Sequence, residues 1–109
     1  MKILLISDNT WVKESFEKYL NFDHELTHID EYESIDHYFD YIFVDMQVQN
    51  NGGPSIIREL KRANSSKNSY MVLIADRDAD EIQAKRVESE GFMVKPITKS
   101  KINNFFNLN

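Results

Sequence analysis

Three absences bound what this 109-residue sequence can be. It has no cysteine, which excludes disulfide bonds. No apolar run approaches the ~20 residues that a membrane-spanning helix needs, and the apolar N-terminus at residues 3–6 is too short for a signal peptide. We therefore expect a cytoplasmic protein without a membrane partner. Its length suits one domain, residues 1–109, since a chain of this size buries roughly two thirds of its unfolded surface.

Basic residues are scarce, and one long stretch has none. The chain has thirteen Lys and Arg against eighteen Asp and Glu, a formal net charge of −5. Residues 19–57 contain no Lys or Arg but eight Asp and Glu. Because a phosphate-binding face needs clustered Lys and Arg, we expect no direct nucleic-acid partner. The acidic stretch predicts a solvated, negatively charged edge of the domain.

Strand and helix signals alternate along the whole chain. Short apolar runs, typical of strands buried on both faces, occur at residues 3–6, 41–44, 70–74 and 92–94, with a more polar one at 26–29. Helical spacing predicts helices at about 11–20, 34–39, 54 onward, 80–90 and 99–107, with a loop at 46–53. Five strands alternating with five helices predict an α/β fold with a parallel sheet covered on both faces.

Polar and charged residues follow four of the predicted strands. Ser7 and Asp8 follow the first strand, Asp45 ends the third, Asp76 lies just past the fourth, and Lys95 follows the fifth. The carboxyl ends of parallel strands share one edge, where ligands of such sheets bind. Neighbouring carboxylates repel unless a divalent cation bridges them, and oxygen ligands favour magnesium. Carboxylate, metal and lysine together suit phosphoryl transfer to an aspartate.

The chain resembles the CheY-like receiver domains of two-component response regulators over essentially its whole length. The resemblance depends on the spacing of Asp8 at the end of the first strand, Asp45 eight residues before a glycine, and Phe92 three residues before Lys95 and Pro96. It implies a doubly wound five-stranded parallel sheet, (βα)5, with strand order 2-1-3-4-5. In this family the peptide bond before the proline is often cis.

The resemblance also implies roles for individual residues. Asp45 resembles the phosphoacceptor, and Lys95 resembles the lysine that pairs with the phosphoryl group. Asp8, Asp45 and the backbone carbonyl of Gln47 resemble the ligands of Mg²⁺. The implied partners are a sensor histidine kinase or phosphotransfer protein and a downstream protein target. We expect no enzymatic activity beyond self-catalysed phosphoryl transfer and autodephosphorylation, and no DNA-binding output domain after the last helix.

Three positions depart from the family pattern. Ser7 replaces the first residue of the acidic pair, which should weaken Mg²⁺ binding. The hydroxyl residue that ends the fourth strand is replaced by Ile74 or Ala75, and neither can donate the hydrogen bond, which would contribute ~1.5–3 kcal/mol to a charged acceptor. Without that partner, Phe92 at the switch position is expected to be an ordinary core aromatic. Gln49 stands where a proline is usual, which predicts a more flexible loop.

Two functional interpretations remain open at this point. The first is a receiver domain that accepts a phosphoryl group on Asp45 with Mg²⁺ and signals through protein contacts. The second is a pseudo-receiver, folded alike but acting as a phosphorylation-independent interaction module. Ser7 and the missing hydroxyl favour the second interpretation, and the joint spacing of the family positions favours the first.

Overall fold

One parallel sheet forms the centre of the molecule. The computed structural model describes residues 1–106. Its strands are β1 (Lys2–Ile6), β2 (Glu25–Ile29), β3 (Tyr41–Asp45), β4 (Tyr70–Ala75) and β5 (Gly91–Val94). They are ordered β2-β1-β3-β4-β5, and every neighbouring pair is parallel. The predicted α/β class and the strand order implied by the resemblance are confirmed.

The helices cover both faces of this sheet. They are α1 (Thr10–Tyr19), α2 (Val48–Asn51), α3 (Gly53–Arg62), α4 (Glu81–Arg86), which follows a 3-10 helix at Asp78–Asp80, and α5 (Lys99–Phe105). Among residues 1–106, none of the helices is long and apolar enough to cross a membrane. The last predicted helix reached residue 107, which lies outside the described residues.

The helix predicted at residues 34–39 is wrong. The chain runs from β2 to β3 without a helix. Ile35 and Phe39 have helical spacing, but their carbonyl oxygens accept hydrogen bonds from serines about thirty residues away, Ser65 Oγ at 2.7 Å and Ser69 Oγ at 2.6 Å. These bonds fasten the segment to the loop after α3, so side chains from that loop satisfy backbone groups that a helix would pair internally.

Two other boundaries also differ from the predictions. The helix predicted at 80–90 ends at Arg86, because Glu88 has a positive φ of 58° that an α-helix cannot continue through. The loop predicted at 46–53 contains the single turn α2, in which Gln49, Asn50 and Asn51 all have positive φ. The Lys95–Pro96 bond is cis, as the resemblance implied.

The core lies on both faces of the sheet. Leu4 and Ile6 of β1 point into one cluster, while Ile3 and Leu5 point into the other. The first cluster is completed mainly by α3, and the second by α1 and α5. Because apolar side chains fill both faces, the chemistry of this fold is left to the ends of its strands.

Candidate functional site

Backbone hydrogen bonds continue past the carboxyl ends of the strands and fix the residues that follow them. The Ser7 N–H donates to the Ile29 carbonyl at 3.0 Å, and the Lys95 N–H donates to the Ala75 carbonyl at 2.8 Å. Asp45 itself is the last residue of β3, opposite Ile74 of β4 in the strand register. Ser7, Asp45 and Lys95 are therefore held at one end of the sheet.

The Asp45 carboxylate is buried and surrounded by donors. Its Oδ2 accepts a hydrogen bond from Ser7 Oγ at 2.7 Å. Its Oδ1 accepts from the Gln47 backbone N–H at 3.1 Å and lies 2.8 Å from Lys95 Nζ. Only 1% of the side chain is exposed. These three donors offset the cost of burying the polar carboxyl group.

Lys95 is shared between two carboxylates. Besides Asp45, its Nζ lies 3.1 Å from Oδ1 of Asp76, which follows β4 directly. Burial of the ammonium lowers the pKa of Lys95, but the hydrogen bonds and charges of Asp45 and then Asp76 outweigh burial. The pKa of Lys95 therefore lies above its ordinary value, and the side chain is a cation at neutral pH.

Ser7 takes part in the site through its hydroxyl, which the sequence analysis did not foresee. Its Oγ donates to Asp45 and accepts from the Asn9 N–H at 3.1 Å. Its carbonyl oxygen lies 2.7 Å from Nε2 of His28, and since a carbonyl only accepts, this ring nitrogen is the donor. The position of Ser7 directly after β1 is the one sequence signal that could have placed its hydroxyl beside Asp45.

Asp8 and Gln47 lie at the surface of the site. Asp8 is exposed and lines a cleft of about 410 Å³ together with Asp30, Glu31 and Gln49. Gln47 is also exposed, and its backbone N–H is bound to Asp45. The structure thus brings Ser7, Asp45, Asp76 and Lys95 into direct contact, while Asp8 faces an acidic cleft beside them.

Neither a protein-family model nor a curated protein sequence matches the chain. Solved structures do. A response regulator from Burkholderia pseudomallei with a phosphorylated aspartic acid, calcium and citrate superposes with a TM-score of 0.77 at 17% identity, over 93% of this chain and 63% of the other. The present chain thus spans less than two thirds of that regulator.

This chain aligns with almost the whole length of two other solved structures. The response regulatory domain of mrkE from Klebsiella pneumoniae has a TM-score of 0.75 at 18% identity, over 98% of this chain and 93% of that one. The receiver domain of a Pseudomonas aeruginosa sensor histidine kinase, with magnesium in its active-site cleft, has 0.75 at 15% identity, over 97% and 93%. The chain has the receiver-domain fold.

The residues of this receiver-domain fold can be tested against the divalent cation that the fold implies. Among residues 1–106, no group of three or more His, Cys, Asp or Glu side chains could hold a metal. The carboxylates of Asp8 and Asp45 and the carbonyl of Gln47 are nevertheless hard oxygen donors, and Mg²⁺ often takes one or two carboxylates and keeps several waters. Together with Asp76 the two acids outnumber the one lysine, so the chemistry of the donors fits a weakly held Mg²⁺.

The residues that the resemblance assigns to the switch are two buried aliphatic residues and one half-buried aromatic residue. Ile74 and Ala75 are fully buried at the end of β4, and neither side chain has a hydrogen-bond donor. Phe92 on β5 is half-buried and packs against the core cluster that contains Leu4 and Ile6. The last two residues of β4 therefore offer no side-chain hydroxyl.

Proposed function

We propose that this chain is a phosphoryl-accepting receiver domain of two-component signalling, with Asp45 as the acceptor and Lys95 as the cation beside it. The contact of 2.8 Å between Lys95 Nζ and Asp45 Oδ1 carries this proposal. The receiver-domain fold supports it, because one similar structure contains a phosphorylated aspartate. A histidine kinase or phosphotransfer protein would supply the phosphoryl group in the cytoplasm, and a downstream protein would respond to it.

The proposed reaction moves one phosphoryl group to an oxygen of Asp45. A bond forms between this oxygen and phosphorus, while the bond from phosphorus to the donor atom breaks and its electron pair leaves with the donor. The Lys95 ammonium offsets negative charge on the transferring oxygens, and the Ser7 hydroxyl orients the carboxylate. Mg²⁺ held by Asp8, Asp45 and the Gln47 carbonyl would supply further charge neutralisation.

The cheapest test uses acetyl phosphate, from which acetate leaves, in the presence of Mg²⁺. Intact mass spectrometry should show one added phosphoryl group on the wild type and none on Asp45→Ala. Asp78→Ala, an exposed aspartate in the 3-10 helix, is the matched control and should be labelled like the wild type. The absence of an adduct on the wild type, or an adduct that persists in Asp45→Ala, would reject the proposal.

A second candidate is a phosphorylation-independent interaction module with the same fold. The burial of Asp45 behind three donors favours it, since an incoming donor must first uncover the carboxylate. The aliphatic Ile74 and Ala75 favour it too, because no hydroxyl there could respond to a phosphoryl group. NMR spectra recorded with and without Mg²⁺ and beryllofluoride, a phosphoryl mimic, test this candidate. Unchanged amide shifts would support it, and shifts spreading from Asp45 to β4 and β5 would reject it.

A further inference from the structure

The Asp76 carboxylate occupies one side of the Lys95 ammonium. Asp76 Oδ1 and Asp45 Oδ1 lie 3.1 Å and 2.8 Å from the same Nζ atom. Asp76 lies beyond β4 and Asp45 at the end of β3, so the two carboxylates come from neighbouring strands. One third of the Asp76 side chain is exposed, against 15% for Lys95. Solvent therefore screens this contact only in part.

The charges of these three residues change unfavourably when a phosphoryl group is added. Two carboxylates and one ammonium leave one excess negative charge before the reaction. An aspartyl phosphate carries about two negative charges, so the cluster would then hold about two in excess. Without Asp76, the phosphorylated cluster would be no more negative than the unmodified cluster is now. Asp76 thus works against the product and against the approach of an anionic donor.

We propose that Asp76 restrains the phosphoacceptor site, because its carboxylate competes with the incoming phosphoryl group for the Lys95 ammonium and slows the phosphorylation of Asp45. This inference rests on the function proposed above and adds regulation to it. Asp76 is a positioning residue, since it acts on the reaction through Lys95.

The test compares rates of phosphorylation by acetyl phosphate and Mg²⁺, measured by intact mass at equal concentrations. Asp76→Asn keeps the size of the side chain and removes its charge, and we expect it to be labelled about three- to tenfold faster than the wild type. Asp76→Glu keeps the charge and should stay within about threefold of the wild-type rate. Asp78→Asn removes an exposed charge two residues away and should leave the rate unchanged. Circular dichroism verifies folding, and Asp76→Ser replaces Asp76→Asn if that variant unfolds.

The outcomes separate this inference from the proposed function. Faster labelling of Asp76→Asn alone, with a difference that shrinks as salt is added, supports the inference. Equal labelling of the wild type and Asp76→Asn overturns the inference and leaves the function standing. Equal acceleration by Asp78→Asn also overturns it, since any lost negative charge would then suffice. If neither the wild type nor Asp76→Asn is labelled on Asp45, both the function and the inference fail.

Discussion

Replacing Lys95 by methionine should destabilise the protein through the carboxylate that it leaves behind. The substitution removes the ammonium and keeps an unbranched, largely buried side chain. Asp45 would keep its hydrogen bonds from Ser7 Oγ and Gln47 N–H but lose the cation that lies 2.8 Å from its Oδ1. Since only 1% of the Asp45 side chain is exposed, water cannot replace the lost partner.

The expected loss in the free energy of unfolding follows from the burial of Lys95 and Asp45. Breaking a fully buried ion pair costs about 3–5 kcal/mol, and the two remaining donors and the slight exposure of Lys95 place this case near the lower end. We therefore expect Lys95→Met to lower the free energy of unfolding by about 3 kcal/mol. Asp45→Asn removes the buried charge and should cost about 1 kcal/mol, because its amide group can donate to Ser7 Oγ. When Asp45→Asn is already present, Lys95→Met should cost only about 1 kcal/mol more, a coupling energy of about 2 kcal/mol.

Urea denaturation of the wild type, both single variants and the double variant measures this coupling. Far-UV circular dichroism is the better probe, because Trp11 is 80% exposed in the folded state and its emission should change little on unfolding. If the slope of the free energy of unfolding against urea concentration is the same in every variant as in the wild type, all four proteins expose the same surface on unfolding. A coupling energy under about 0.5 kcal/mol would refute the reasoning, since the two side chains would then contribute independently.

Three shorter predictions concern the same site. Ser7→Ala leaves Asp45 Oδ2 without its donor and should cost about 1–3 kcal/mol in urea denaturation, whereas a cost near zero would contradict the hydrogen bond. Gly53→Ala would place a Cβ 2.6 Å from the backbone oxygen of Asp45, against 3.0 Å for the nearest atom to a Cβ at Gly52, so Gly53→Ala should lower the melting temperature more than Gly52→Ala. Burial lowers the pKa of Lys95 but the neighbouring carboxylates raise it further, so its stabilisation is full below its ordinary pKa of 10.5 and is lost as pH rises through the higher folded-state value. The stability difference between the wild type and Lys95→Met should therefore shrink in strongly alkaline buffer, and a constant difference would be the contrary result.

The three central strands β1, β3 and β4 could be predicted from the sequence because they are buried on both faces, whereas β2 and β5 lie at the sheet edges and are less buried. All five predicted strands agree with the structure to within one residue at each end. A strand in the middle of such a sheet must be apolar at every position, and this signal needs no knowledge of distant contacts. The order of the strands came from the family resemblance and could not have been read from the apolar runs alone.

The helix predicted at 34–39 shows where local patterns fail. Ile35 and Phe39 do face the core, as the spacing of four residues suggests. Their carbonyl oxygens, however, bind the hydroxyls of Ser65 and Ser69, which lie thirty residues further along the chain. A local pattern cannot report that a distant loop will supply hydrogen bonds, so tertiary contacts override the helical spacing.

The candidate site also has features that could be predicted from the sequence and features that could not. The approach of Lys95 to Asp45 follows from the topology, because Asp45 ends β3 and Lys95 follows β5 at the same edge of one parallel sheet, on either side of β4. The hydrogen bond from Ser7 and the second contact of Lys95 with Asp76 depend on side-chain rotamers, which strand-end spacing does not fix. Sequence reasoning treated Ser7 as a lost carboxylate, whereas the structure makes it a donor to Asp45.

Ser7 and Asp76 together determine on which side of Asp45 the additional negative charge of the site lies. Ser7 stands where the family pattern has a carboxylate after β1, whereas Asp76 places a carboxylate after β4, and β3 with Asp45 lies between these two strands. We therefore expect Ser7→Asp combined with Asp76→Asn to bind Mg²⁺ roughly tenfold more tightly than the wild type, because ligand charge is restored near Asp8. Without Mg²⁺ the same variant should be less stable than the wild type, since the carboxylate introduced by Ser7→Asp would face the Asp45 carboxylate without a donor. Melting curves with and without Mg²⁺ measure both effects, because a ligand that binds only the folded state raises its stability. An equal response to Mg²⁺ in the variant and the wild type would show that charge after β1 does not control the metal site.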